Sequence, residues 1–109
     1  MSTNEIDETL GALFIAETRE QLESFGRILM KLESDPGSIE TEVHELFRIA
    51  HNIKGTAGMM GLDGIKETMH TVENLFDDLR KNVRPLKQEQ IDALLELSDA
   101  LDSYVEAAN

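Results

Sequence analysis

The chain has 109 residues, 22 acidic against 10 basic, for a formal net charge of -12. Such a field repels nucleic-acid backbones and anionic membrane surfaces, and the absence of cysteine excludes disulfides and thiol chemistry and fits a reducing compartment. Hydrophobic residues at 40% suffice for a packed core, so one domain over residues 1–109 is expected rather than a disordered tract.

The first expected helix covers about residues 6–33. Ile6, Leu10, Leu13, Phe14, Leu22, Phe25, Ile28, Leu29 and Leu32 recur at steps of three and four, the mark of an amphipathic helix. The stripe thins around Ala16 to Arg19, which allows a short separate or fraying first piece. "SDPGS", Ser34 to Ser38, ends the pattern with turn residues. The second helix, about 39–60, carries Ile39, Val43, Leu46, Ala50, Ile53 and Ala57, and Gly61 is placed to stop it. The third, about 64–81, uses Ile65, Met69, Val72, Phe76 and Leu79, with Asp63 as candidate N-cap. "RKNVRP" ends it with basic residues, Asn82 and Pro85. The fourth, about 87–107, runs through Ile91, Leu94, Leu95, Leu101, Tyr104 and Val105.

No segment alternates with a strand period. The pattern predicts an all-α, antiparallel up-down four-helix bundle. No run approaches the ~20 apolar residues that span a bilayer. The opening "MSTNEIDETLGALF" is acidic where a signal peptide is basic, so a cytoplasmic location is expected.

"LFRIAHNIKGTAGMMGLDGIKETMH", Leu46 to His70, is unusual within this frame. On a wheel of about 100° per residue, the second stripe centres near Ala50 and Ala57. His51 falls about 120° from that centre, on the solvent flank. Gly55 and Gly58 follow at i+4 and i+7 on the same flank and clear a strip along which another macromolecule can approach. Lys54, at i+3, holds a positive charge beside the imidazole. On the third helix His70, Glu73 and Asp77 share one polar edge at i, i+3 and i+7. If the two helices are antiparallel neighbours, a carboxylate of that edge can accept the Nδ1 proton of His51 and leave Nε2 free as a nucleophile. The same residues also admit plainer readings: a solvated surface histidine, a glycine loop and an ordinary acidic face.

"AHNIKGTAGMMGL", residues 50–62, resembles the signature of the histidine-phosphotransfer (HPt) family, H-x-[IL]-K-G followed by small residues and a further glycine. With "HTVENLFDDLRKN" at 70–82, the run is most similar to the N-terminal phosphotransfer domain of CheA-type chemotaxis sensor kinases. The resemblance is carried by residues 43–82 and is one of pattern elsewhere. It implies an HPt-like bundle in which His51 is the phosphoacceptor, Glu73 orients the imidazole, Lys54 contacts the phosphoryl group and His70 supports the network. It implies that Gly55 keeps the acceptor accessible. Met59-Met60 departs from the family pattern on the receiving surface, and Lys87 stands where a Ser, Thr or Asp cap is usual. The implied partners are a histidine kinase ATP-binding domain, which brings ATP and Mg²⁺, and an aspartate-bearing response-regulator receiver domain of the CheY or CheB kind.

The chain itself has no nucleotide site: "GTAGMMG" lacks the G-K-[ST] ending of a P-loop. It is therefore expected to be a phosphorylated substrate and not an enzyme by itself, either stand-alone or as part of a CheA-type kinase. Two other classes are compatible with a helical bundle. A metal-binding bundle would draw on His44, His51 and His70, but the repeated Glu-x-x-His pairs of di-iron bundles are missing. A passive interaction bundle needs only the acidic surface and a helical groove.

Overall fold

Four amphipathic stripes become four helices because each must bury its apolar side, and short connections make successive helices antiparallel. The computed structural model describes residues 3–107, with side chains from residue 8 onward. It consists of α1 (Thr3–Ser34), a 3-10 turn at Pro36–Ser38, α2 (Ile39–Met59), α3 (Asp63–Lys81) and α4 (Gln88–Ala107). There is no strand among the described residues. The helices form an antiparallel bundle in which α2 lies closest to α3 and α1 closest to α4.

The core is a continuous cluster from all four helices, including Phe25, Leu29, Leu46, Ile49, Ile53, Met69, Phe76, Ile91 and Leu94. Burial of each large apolar side chain is worth about 1.5–3 kcal/mol. Phe25 and Phe76 meet edge to face across α1 and α3, with ring centroids 5.9 Å apart and planes at 81°, which adds about 0.5–1.5 kcal/mol beyond burial.

α1 is one unbroken helix, not two pieces. The apparent gap in its stripe is filled by Thr18, which is buried at the step between Phe14 and Leu22. Leu10 and Leu13, counted in that stripe, are instead exposed; the side chain of Ile6 lies outside the described residues. The register explains the exposure. Lys31 pairs with Glu42, Gln88 with Glu33, and Arg19 with Asp102, so α2 and α4 both run out near the level of Phe14. The first turns of α1 project beyond them. Tyr104, expected inward, is also exposed, and the small hydroxyl of Ser98 takes a buried place on α4, donating to the Leu22 carbonyl at 3.5 Å.

The α2–α3 turn follows from one residue. Gly61 has φ +74°; its N–H donates to the Gly58 carbonyl at 3.2 Å, and the Leu62 N–H donates to Ala57 at 2.8 Å. This pair of bonds is the Schellman closure of a helix C-terminus. The closure uses Leu62, so α3 begins immediately afterwards. Asp63 is consequently not the N-cap: Leu62 occupies that position and Asp63 is the first helical residue, its charge facing the positive helix end. At α4 the Gln90 side chain accepts the Lys87 backbone N–H at 2.9 Å, half of a capping box that tolerates lysine at the cap position.

A side chain at position 61 would have to enter the left-handed region, at a cost of roughly 1–2 kcal/mol. Gly61→Ala is expected to lower unfolding stability by about that amount while leaving the circular dichroism of the native state unchanged. A urea midpoint equal to that of the parent would contradict this account of the turn.

Candidate functional site

The site is built across α2 and α3. Antiparallel pairing sets His51 opposite Glu73 and Gly58 opposite Lys66. Glu73 is nearly enclosed, 13% exposed, and its Oε2 is approached by Lys54 Nζ at 2.8 Å and His51 Nδ1 at 3.4 Å. Oε2 is buried from solvent, with these two nitrogens as its neighbours and the Lys54 ammonium the nearer. Burial alone would raise the Glu73 pKa; the Lys54 ammonium and the His51 ring outweigh it and hold the carboxyl below its ordinary range.

His51 itself is 58% exposed. With Nδ1 turned to Glu73, the free edge of the ring carries Nε2. The Phe47 ring, one turn earlier on α2, lies nearly parallel to the imidazole, at 9° and 6.2 Å between centroids. The Arg80 guanidinium sits 3.7 Å from the centre of the Phe47 ring, at cation–π distance. Neither residue was singled out in the sequence. The signal existed, since Phe47 stands at i-4 from His51, but it lies off the apolar stripe.

The remaining candidates divide. Gly55 opens directly to solvent: a Cβ built there meets nothing within 4 Å. Gly58 does not simply clear space, because the stem of Lys66 lies over it, with Cδ 3.4 Å from a Cβ built at that position. His70 is exposed and is joined to His51, Lys54 and Glu73 by no hydrogen bond or ion pair. Asp77 is not the partner of His51; it receives Arg80 at 2.6 Å and Lys81 at 3.0 Å, and these cations lower its pKa. Charge on its own helix, one turn away, reaches it before the imidazole can.

His44 is exposed as well, and among the described residues no group of His, Asp and Glu is placed to hold a metal ion. No described helix is long and apolar enough to cross a membrane. A groove between α1 and α4, lined by Gly26, Met30, Leu95 and Ser98 among others, contains none of the candidate residues.

With this geometry in view, comparison with known proteins is informative. The family model described as Hpt domain matches residues 10–107. The chain is 34% identical over 101 residues to the chemotaxis protein CheA of Halobacterium salinarum, covering 93% of this chain and 15% of that protein. It is 33% identical over 95 residues to CheA of Bacillus subtilis, covering 87% of this chain and 14% of the relative. The chain thus spans about 15% of the length of these relatives. The CheA phosphotransferase domain from Thermotoga maritima superposes with a TM-score of 0.83 at 30% identity, over 99% of this chain and 98% of that one.

The lowered Glu73 pKa carries a sign that can be checked. The folded state resists protonation more than the unfolded chain does. The stabilisation is therefore complete above the unfolded carboxylate pKa and is lost as pH falls through the lower folded value. Glu73→Gln is expected to cost about 1–2 kcal/mol at pH 7, with the gap to the parent narrowing below pH 4. Urea unfolding across this range measures it; a gap independent of pH would contradict the charge-pairing account.

Proposed function

The chain belongs to the Hpt domain family, and on that premise we propose that His51 is its phosphoacceptor in a two-component pathway of chemotaxis. Nε2 of His51 attacks the γ-phosphorus of ATP held by a histidine kinase domain; the P–N bond forms as the bond to the ADP oxygen breaks. A carboxylate oxygen of an aspartate on a receiver domain then attacks the same phosphorus. The P–N bond breaks, and the electron pair returns to Nε2.

The observation that carries this reading is the shared contact of Glu73 with His51 Nδ1 and Lys54 Nζ. A carboxylate at Nδ1 favours the tautomer whose lone pair is on Nε2, and it steadies the positive charge that grows on the ring during attack. Lys54, so close to the same carboxylate, is within reach of phosphoryl oxygens as a charged donor. The exposure of His51 and the open flank at Gly55 suit an acceptor visited by two macromolecules in turn. His70, exposed one turn before the enclosed Glu73 on α3, is a reserve contact for the network once a phosphoryl group is present.

The chain supplies the substrate and the rigid post, and the kinase and receiver domains bring ATP and Mg²⁺. Its likeness to the CheA phosphotransferase domain favours a role as substrate domain of a cytoplasmic CheA-type kinase over a stand-alone relay protein.

Incubation with a CheA-type kinase domain and labelled ATP is expected to place an acid-labile phosphoryl group on His51 alone. Label surviving undiminished in His51→Gln, or a product stable to acid, would overturn the assignment. Glu73→Gln and Glu73→Ala are expected to keep the fold and slow labelling by at least several-fold, since positioned acid–base groups are worth ~10²–10⁴ in rate. Unchanged labelling kinetics would reduce Glu73 to a structural ion pair.

A further inference from the structure

Among the described residues, every lysine and arginine has a carboxylate within ion-pair distance except Lys66 and Lys87. Lys87 stands just before α4, at the end of the bundle away from the α2–α3 turn. Lys66 is therefore the unpaired cation on the acceptor's side. Its position is not casual. Gly58 is seven residues beyond His51, on the same flank of α2 and about 10 Å along the helix axis. The Lys66 stem crosses Gly58 with Cδ, Cε and Cγ all within 4 Å of where a Cβ would be. The stem lies across the backbone at Gly58, at ordinary van der Waals distance from where a Cβ would stand. Met59, the residue after Gly58, is 89% exposed.

We infer that Lys66 is a docking cation for the acidic rim of the receiver domain that takes the phosphoryl group from His51. The inference rests on the proposed relay and adds to it the surface by which the second partner is recognised. The chemistry of the partner decides which of the two it fits. A phosphoacceptor aspartate works with Mg²⁺, and Mg²⁺ in such a site is held by carboxylates, so the surface around it is acidic. A kinase domain already surrounds the ATP phosphates with its own cations and Mg²⁺, so it has less need of Lys66. A residue about 10 Å from the acceptor along the helix reaches a partner's rim, not the reacting phosphorus. The charge of the whole chain adds the need. At -12, the molecule repels an acidic partner at long range, and an unpaired cation beside the acceptor gives that partner an oriented approach.

The test uses Lys66→Gln, which keeps most of the stem, and Lys66→Glu, which reverses the charge, with a Mg²⁺-loaded CheY-like receiver domain as probe. Both variants are first labelled by the kinase domain. Labelling at the parent rate, followed by transfer with a second-order rate lowered about threefold or more in Lys66→Glu and less in Lys66→Gln, is the expected result. The deficit should shrink as salt is raised and vanish at saturating receiver. Equal transfer at low salt, a deficit indifferent to salt, or a loss confined to kinase labelling would overturn the inference. Titration of the unlabelled proteins with the receiver, followed by amide shifts around Gly58 and Lys66, separates the two readings. If the parent never labels at His51, the relay reading fails, while salt-dependent weakening of binding in Lys66→Glu still supports the docking cation and unchanged binding still overturns it.

Discussion

One buried carboxylate oxygen, Oε2 of Glu73, governs the arrangement of this molecule's functional face. Removing it from water is costly, and the cost is offset only when Lys54 and His51 of the neighbouring helix stand beside it. The two helices are thereby held in one register. A slip of α3 by one turn would part the carboxylate from Lys54 and His51 and leave its charge without a partner. Because the register is held, the other pairings follow: Arg80 reaches the face of Phe47, and Lys66 reaches Gly58. The same contact that fixes the helix pair also determines which imidazole nitrogen faces outward. Structure and chemistry depend on a single atom here.

The rest of the fold serves that pair. α1 and α4 lie against each other and complete the core beneath α2 and α3. The turn at Gly61 closes α2 and starts α3 within three residues, leaving the hairpin no slack with which to change register. A tight turn and a shared carboxylate are complementary constraints, one at the end of the hairpin and one in its middle. Together they fix the surroundings of His51, as the preorganised chemistry proposed for it requires.

Much of this was legible in the sequence, and the reasons for the rest are specific. Helical periodicity located the stripes of α2 and α3 and put His51 on the open flank because both helices are flanked by neighbours along their whole length. The same periodicity misplaced Leu10 and Leu13: a wheel reports which side of α1 is apolar, but not that α2 and α4 stop short of it. Thr18 and Ser98 are invisible to an apolar stripe because they carry hydroxyls, although each fills a small buried step. Asp63 was read as a cap on residue type alone, without the Schellman closure that claims Leu62. Glu73 and Asp77 share an edge, and only the positions of Arg80 and Lys81 separate the one that faces His51 from the one neutralised on its own helix.

The two glycines show why residue type underdetermines role. On the helical wheel Gly55 and Gly58 are equivalent, both on the His51 flank and both destabilising in a helix interior by about 1 kcal/mol relative to alanine. In three dimensions they differ by what approaches from α3. Nothing faces Gly55, so its missing side chain is open space beside the imidazole. Gly58 faces an unpaired lysine, whose aliphatic stem lies across it. One glycine borders open space and the other lies beneath a lysine stem. The loss of helix stability at both is tolerated because α2 is held by its buried stripe and by Glu73, not by its propensity, and this lets the exposed flank be shaped for a visiting partner.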